Sequence, residues 1–125
     1  MVSFFQVLQG NICYYDFDEP RGSRPKGSEP DKMRPVVVIQ GDRLNRSNLN
    51  TTLVVPLTSR TANAALPGNV FIPSAISGLP KDSVALGFQI TVVNKDRLLY
   101  PVSTLSTETV TKIIDAINVV LARPQ

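Results

Sequence analysis

The sequence predicts a mainly β fold with one C-terminal α-helix: a small barrel or curled sheet whose open end the helix closes. Three observations predict it. Short apolar, β-branched runs recur between proline- and glycine-rich breaks, one run carries an internal glycine, and the hydrophobic period becomes helical only near the C-terminus. At 125 residues the chain has the length of one core, so 1–125 is read as a single domain. Its 42% hydrophobic and 18% charged residues exclude a wholly disordered, collagen-like or coiled-coil protein.

Asn11 to Phe17 is rich in β-branched and aromatic residues, follows Gly10 and ends before Asp18-Glu19-Pro20, as a strand entering a loop does. From Glu19 to Arg34 the chain carries Pro20, Pro25 and Pro30 with Gly22 and Gly27, a composition that stops helices and central strands alike. This predicts a long exposed loop, the kind of segment that often carries function. Pro35 to Ile39 and Thr52 to Thr58 are continuous apolar runs separated by the polar stretch Gly41 to Asn50, and both read as buried strands. Asn69 to Ile72, bracketed by Pro67-Gly68 and Pro73, is a brief strand. Ser83 to Val93 is apolar on both parities with Gly87 inside it, which predicts a strand bent between two sheet faces. Finally, Val110, Ile113, Ile114, Ile117, Val120 and Leu121 follow i, i+3, i+4, i+7 spacing. They predict an amphipathic helix capped by Ser106 or Thr107, with Glu108 in its first turn and Pro124 after its end.

Residue types also restrict the chemistry. With one cysteine, Cys13, and no histidine, neither a disulfide scaffold nor an ordinary structural metal site is expected, and no cofactor is called for. A histidine-pair ribonuclease mechanism is excluded, so proton transfer near neutral pH must use carboxylates, Arg, Lys, Tyr, hydroxyls or water. The N-terminal residues lack a basic n-region and are too briefly apolar for a signal peptide or a membrane span, so no membrane association and a cytoplasmic location are expected.

Charge is unevenly placed. Residues 20–60 hold eight basic side chains (Arg21, Arg24, Lys26, Lys32, Arg34, Arg43, Arg46, Arg60) against three acidic ones, an excess of five in a chain whose net charge is +3. A basic segment on one side of a domain attracts polyanions or an acidic protein, although a solvated basic loop accounts for the same composition. Five Phe, three Tyr and no Trp do not by themselves indicate a base-stacking platform.

Four blocks, in order, resemble the MazF/PemK-type toxins of bacterial type II toxin–antitoxin systems. Gly10 to Asp18 is similar to that family's opening strand, and Gly27-Ser28-Glu29 followed by Arg34-Pro35 to Ile39 is similar to its Gly-Ser-Glu loop and Arg-Pro strand. Val54 to Ser59 resembles the Val-Pro-apolar-Thr-Ser strand, and Gly78 to Leu86 with Gln89-Ile90 resembles the fourth block. There are departures: Gly22-Ser23 offers a competing register for the loop, Phe88 stands where many members have an acid, and Thr91-Val92 replaces a common Arg-Thr.

The resemblance implies an SH3-like barrel of the CcdB/PemK-like plasmid maintenance toxin fold, and a homodimeric, metal-independent endoribonuclease. Its single-stranded RNA would be cleaved at short specific sequences by attack of a 2′-hydroxyl on the adjacent phosphorus, leaving a 2′,3′-cyclic phosphate and a 5′-hydroxyl. It assigns catalytic roles to Arg34 and Thr58 and places Gly27, Ser28, Glu29, Ser59 and Gln89 on the substrate side. A cognate acidic antitoxin is implied as partner. Two other readings stand beside it: a non-catalytic toxin of the same fold that inhibits DNA gyrase by contact, as CcdB does, and a degenerate member that only binds.

Overall fold

The computed structural model describes residues 5–17 and 33–124. All of the predicted loop from Glu19 except Met33 and Arg34 therefore lies outside the described residues. The strands are β1 (Asn11–Tyr15), β2 (Arg34–Val38), β3 (Thr51–Thr58), β4 (Asn69–Ile72), β5 (Ser83–Leu86), β6 (Thr91–Asn94) and β7 (Leu99–Thr104). They form an antiparallel sheet in the order β4-β5-β3-β2-β1-β7, with β6 also on β3. The helices are the one-turn α1 (Asp42–Asn45) and α2 (Ser74–Ser77) and the longer α3 (Thr107–Val120). Among the described residues no helix is long and apolar enough to cross a membrane.

The continuous apolar runs have a simple cause: the β1–β3 sheet is buried on both faces. Ile12, Val37, Val55 and Leu57 point into one cluster with Val110, Ile113 and Ile117 of α3. Cys13, Val36, Val38 and Val54 point into a second with Val7, Val93 and Leu98. Both parities of each strand must then be apolar, and the alternation of a half-exposed strand disappears. α3 starts where the sequence places it, the Ser106 hydroxyl accepting from the Thr109 N–H at 3.2 Å. Its last turn departs from expectation, since Val120 and Leu121 of the predicted apolar face are 41% and 63% exposed.

β3 is long enough to pair twice on one edge. Thr51 to Val54 lie against Asn94 to Thr91 of β6, whereas Leu57 and Thr58 lie against Ala85 and Val84 of β5. The predicted bent strand Ser83–Val93 is thus two strands joined by a 3₁₀ turn, Gly87–Gln89. Gly87 is required by a close approach: a Cβ there would stand 2.0 Å from the Gly68 carbonyl oxygen. Gly68, at φ +90°, in turn meets Val120, whose methyl would lie 2.6 Å from a Cβ at that position. The Pro67-Gly68 turn, the 3₁₀ turn and the end of α3 are therefore stacked with no room for a side chain between them.

Predicted β1 shortens to Tyr15, and β7 was not anticipated. Among the described residues β7 pairs only with β1, through a register shift between Ile12 and Tyr14, and Tyr100 has φ +54°. An edge strand can carry Pro101 because one row of its N–H groups needs no partner.

Cys13 is fully buried in the second cluster, and burial pushes its thiol up to about 12. The folded chain keeps it neutral across the physiological range. Folded Cys13 is expected to resist a disulfide reagent at pH 8 and to react stoichiometrically only in denaturant; rapid labelling of the native chain would contradict the packing. Because the folded value lies above the ordinary 9.0, the thiol's contribution to stability is complete below pH 9 and is lost as pH climbs from there toward about 12.

Candidate active site

β2 begins at Arg34, and β3 ends at Thr58. Their pairing, Val36 with Pro56, Val37 with Val55 and Val38 with Val54, carried on by two residues, sets Arg34 across from Thr58. Cross-strand partners share a face, so both side chains continue the row of Val38, Val36, Val54 and Pro56 past the point where the apolar cover ends. Tyr15 of β1 is the register partner of Arg34 on the other side. Arg34 is exposed, and Thr58 is half-buried.

The hydroxyl of Thr58 is oriented by its own turn. Its oxygen accepts from the Arg60 N–H at 3.2 Å, an i to i+2 contact that closes the strand end. With a lone pair engaged in this way, the O–H remains available to donate outward.

Two grooves open on either side of this pair. The first, about 390 Å³, is bordered by Tyr14, Ser59, Leu79, Pro80, Lys81 and Ser83. The second, about 660 Å³, is bordered by Phe17, Pro56, Asn63, Leu86, Gln89 and Thr91. Arg34, Leu57, Thr58 and Arg60 line both. The charged residues of these described walls are Arg34, Arg60 and Lys81, with no carboxylate among them. A cleft with cations and no anions focuses a positive potential and suits a phosphodiester. Among the described residues no three His, Cys, Asp or Glu side chains come together as a metal site would need.

Of the eight basic residues noted in the sequence, the four described ones, Arg34, Arg43, Arg46 and Arg60, do not all face one side. The β2–β3 hairpin puts Arg43 and Arg46, in and after α1, at one end and Arg34 and Arg60 at the other, roughly 20 Å away along the strands. Lys81, from outside that segment, joins the second pair. Of the predicted site residues, Arg34, Thr58, Ser59 and Gln89 are brought to these grooves, and Gly27, Ser28 and Glu29 lie outside the described residues. Sequence reasoning did not single out Tyr14, Asn63 and Lys81. Arg60 was counted only as charge, although its place two residues after a strand-end threonine was the available signal.

The family described as PemK-like, MazF-like toxin of type II toxin–antitoxin system matches residues 8–121. Endoribonuclease MazF6 of Mycobacterium tuberculosis is 50% identical over 74 residues, covering 59% of this chain and 65% of the relative. That match spans just under two thirds of the relative's length. Endoribonuclease EndoA of Bacillus subtilis is 38% identical over 116 residues, 93% of this chain and 95% of the relative. A solved mycobacterial endoribonuclease in complex with its cognate antitoxin shares the fold with a TM-score of 0.72 at 18% identity, over 95% of this chain and 98% of that one.

Proposed function

The chain belongs to the PemK-like, MazF-like toxins of type II toxin–antitoxin systems, and on that premise we propose that it is a metal-independent endoribonuclease cutting single-stranded RNA. The observation that carries the reading is the meeting of Arg34 and Thr58 on the shared rim of two grooves whose described walls hold cations and no anion. The names of the relatives support the catalytic reading over gyrase inhibition by contact.

In the proposed reaction the ribose 2′-oxygen bonds to the adjacent phosphorus as the bond to the 5′-oxygen breaks. The step is proton-neutral: solvent water takes up the 2′-hydroxyl proton and returns one to the departing 5′-oxygen. Negative charge grows on the non-bridging oxygens, and the planar fork of Arg34 meets it with two parallel donors. Thr58 donates a third hydrogen bond, its oxygen already held by the Arg60 N–H. Arg60 takes part of the charge of the same phosphate or its neighbour, and the walls hold the nucleotide for in-line attack. Ser59 contributes a hydroxyl on the substrate side, where the family pattern also places Gly27, Ser28 and Glu29.

The same reading gives the chain a cytoplasmic place, a homodimeric state and a cognate antitoxin. An acidic antitoxin segment laid across the grooves would meet Arg34, Arg60 and Lys81 and exclude RNA by charge as well as by volume.

The test is incubation of the purified chain with a long, defined single-stranded RNA in excess EDTA, followed by mapping of both new ends. Discrete cuts carrying cyclic phosphate and 5′-hydroxyl ends are expected. RNA left intact by folded protein, or cleavage that EDTA abolishes, would overturn the reading.

A further inference from the structure

We propose that Asn63 is a specificity-determining residue, reading with Gln89 the edge of one RNA base in the larger groove; this rests on the endoribonuclease reading above. The two grooves differ in chemistry away from their shared rim. The smaller one ends on Lys81 and hydroxyls, and the larger one ends on the carboxamides of Asn63 and Gln89 with the hydroxyl of Thr91. Phe17, Pro56 and Leu86 supply apolar surface beside those amides. Flat apolar surface flanked by neutral donors and acceptors suits a base, whose face stacks and whose edge forms hydrogen bonds.

The other carboxamides fall into two sets: among the described residues Gln6, Asn48, Asn50, Asn94 and Asn118 also make no side-chain hydrogen bond but border neither groove, and the rest are engaged. Gln9 donates to the Ile39 carbonyl, Asn11 to Thr104, Gln40 to Asn45, Asn45 to the Gln40 carbonyl, and Asn69 to the Asn63 carbonyl. Among the described residues, the side chains of Asn63 and Gln89 make no such bond, although both border the groove that reaches Arg34 and Thr58. Each offers two donors and an acceptor, the complement of a base edge.

The backbone under them is fixed. Asn63 sits in the 3₁₀ turn Thr61–Ala65, its N–H bonded to the Arg60 carbonyl at 3.1 Å and its carbonyl to Asn69 at 2.9 Å. Gln89 ends the 3₁₀ turn Gly87–Gln89, which the Gly68–Gly87 contact sets against the Pro67-Gly68 turn, and Asn69, next to Gly68, ties that turn to Asn63 through its hydrogen bond to the Asn63 carbonyl. Two unpaired amides on a rigid frame are preorganised for one edge geometry rather than adaptable to any base.

The experiment compares cleavage-site profiles on a randomised single-stranded RNA pool for the wild-type chain, Asn63→Ala and Asn63→Asp, with thermal unfolding to establish that each variant is folded. In Asn63→Ala, preference at one position of the site is expected to fall by roughly tenfold or more. Asn63→Asp keeps the shape but exchanges donors for acceptors, so preference at that position is expected to move toward bases that present an amino group. Profiles unchanged in both variants while the wild-type chain cuts specifically would overturn this assignment alone. A folded wild-type chain that cuts nothing would overturn the endoribonuclease reading and the assignment with it.

Discussion

Arg34→Ala is expected to lower kcat for RNA cleavage by about 1000-fold, with a much smaller change in KM. The size follows from the role: a guanidinium that meets charge developing on phosphoryl oxygens contributes more in the transition state than in the ground state. Binding of the rest of the strand continues through Arg60, Lys81 and the groove walls. Stability should change by no more than about 0.5 kcal/mol, because the side chain is exposed at a strand end and makes no ion pair among the described residues. Arg34→Lys separates charge from geometry. A point charge without the planar fork should recover only part of the loss, whereas full recovery would show that the positive potential alone suffices. Single-turnover rates at saturating RNA would decide it, and cleavage by Arg34→Ala at the wild-type rate would remove Arg34 from the chemistry.

The resemblance, not the patterning, singled out Arg34 and Thr58, and what the patterning made legible is that both stand where apolar strands end. Arg34 precedes Pro35 and its run of valines, Thr58 closes another run, and the antiparallel register of those two runs brings them together. Strands whose faces are both buried leave continuous apolar signatures, and the change to helical period at α3 is equally local. What the sequence hid depends on contacts between distant segments. Lys81 lies in a loop of unremarkable composition that only the pairing of β3 with β5 carries to the ends of β2 and β3, and Asn63 lies in a 3₁₀ turn after β3 whose groove is completed by Leu86, Gln89 and Thr91 from later in the chain. A linear count of charge cannot see that the hairpin places Arg43 and Arg46 at the opposite end from Arg34 and Arg60. β7 was missed because Pro101 and the irregular pairing with β1 erase the period-two pattern that identifies a strand.

Gly87→Ala is expected to destabilise the fold by about 3 kcal/mol and to lower Tm by roughly 10 °C. The sequence suggests a glycine here for a bend, but the structure gives a steric cause that predicts more. The added Cβ would stand 2.0 Å from the Gly68 carbonyl oxygen and 3.2 Å from its carbon, both backbone atoms that cannot rotate away as a side chain could. Relief requires the 3₁₀ turn Gly87–Gln89 to move off the Pro67-Gly68 turn, loosening its contact with Ile117 of α3, which lies 3.4 Å from the same position. Gly41→Ala is the matched control: nothing lies within 4 Å of its added Cβ, and its φ of −62° is open to alanine, so a change within about 0.5 kcal/mol is expected. The clamp also predicts a functional signature distinct from lost stability. Well below its lowered Tm, folded Gly87→Ala should retain Arg34 and Thr58 in register on β2 and β3 but hold Gln89 farther from Asn63. Base preference would then broaden by a larger factor than single-turnover cleavage of the preferred site slows. A Tm within about 2 °C of wild type would show that the two turns yield freely, and the spacing of the two amides would then have no rigid support.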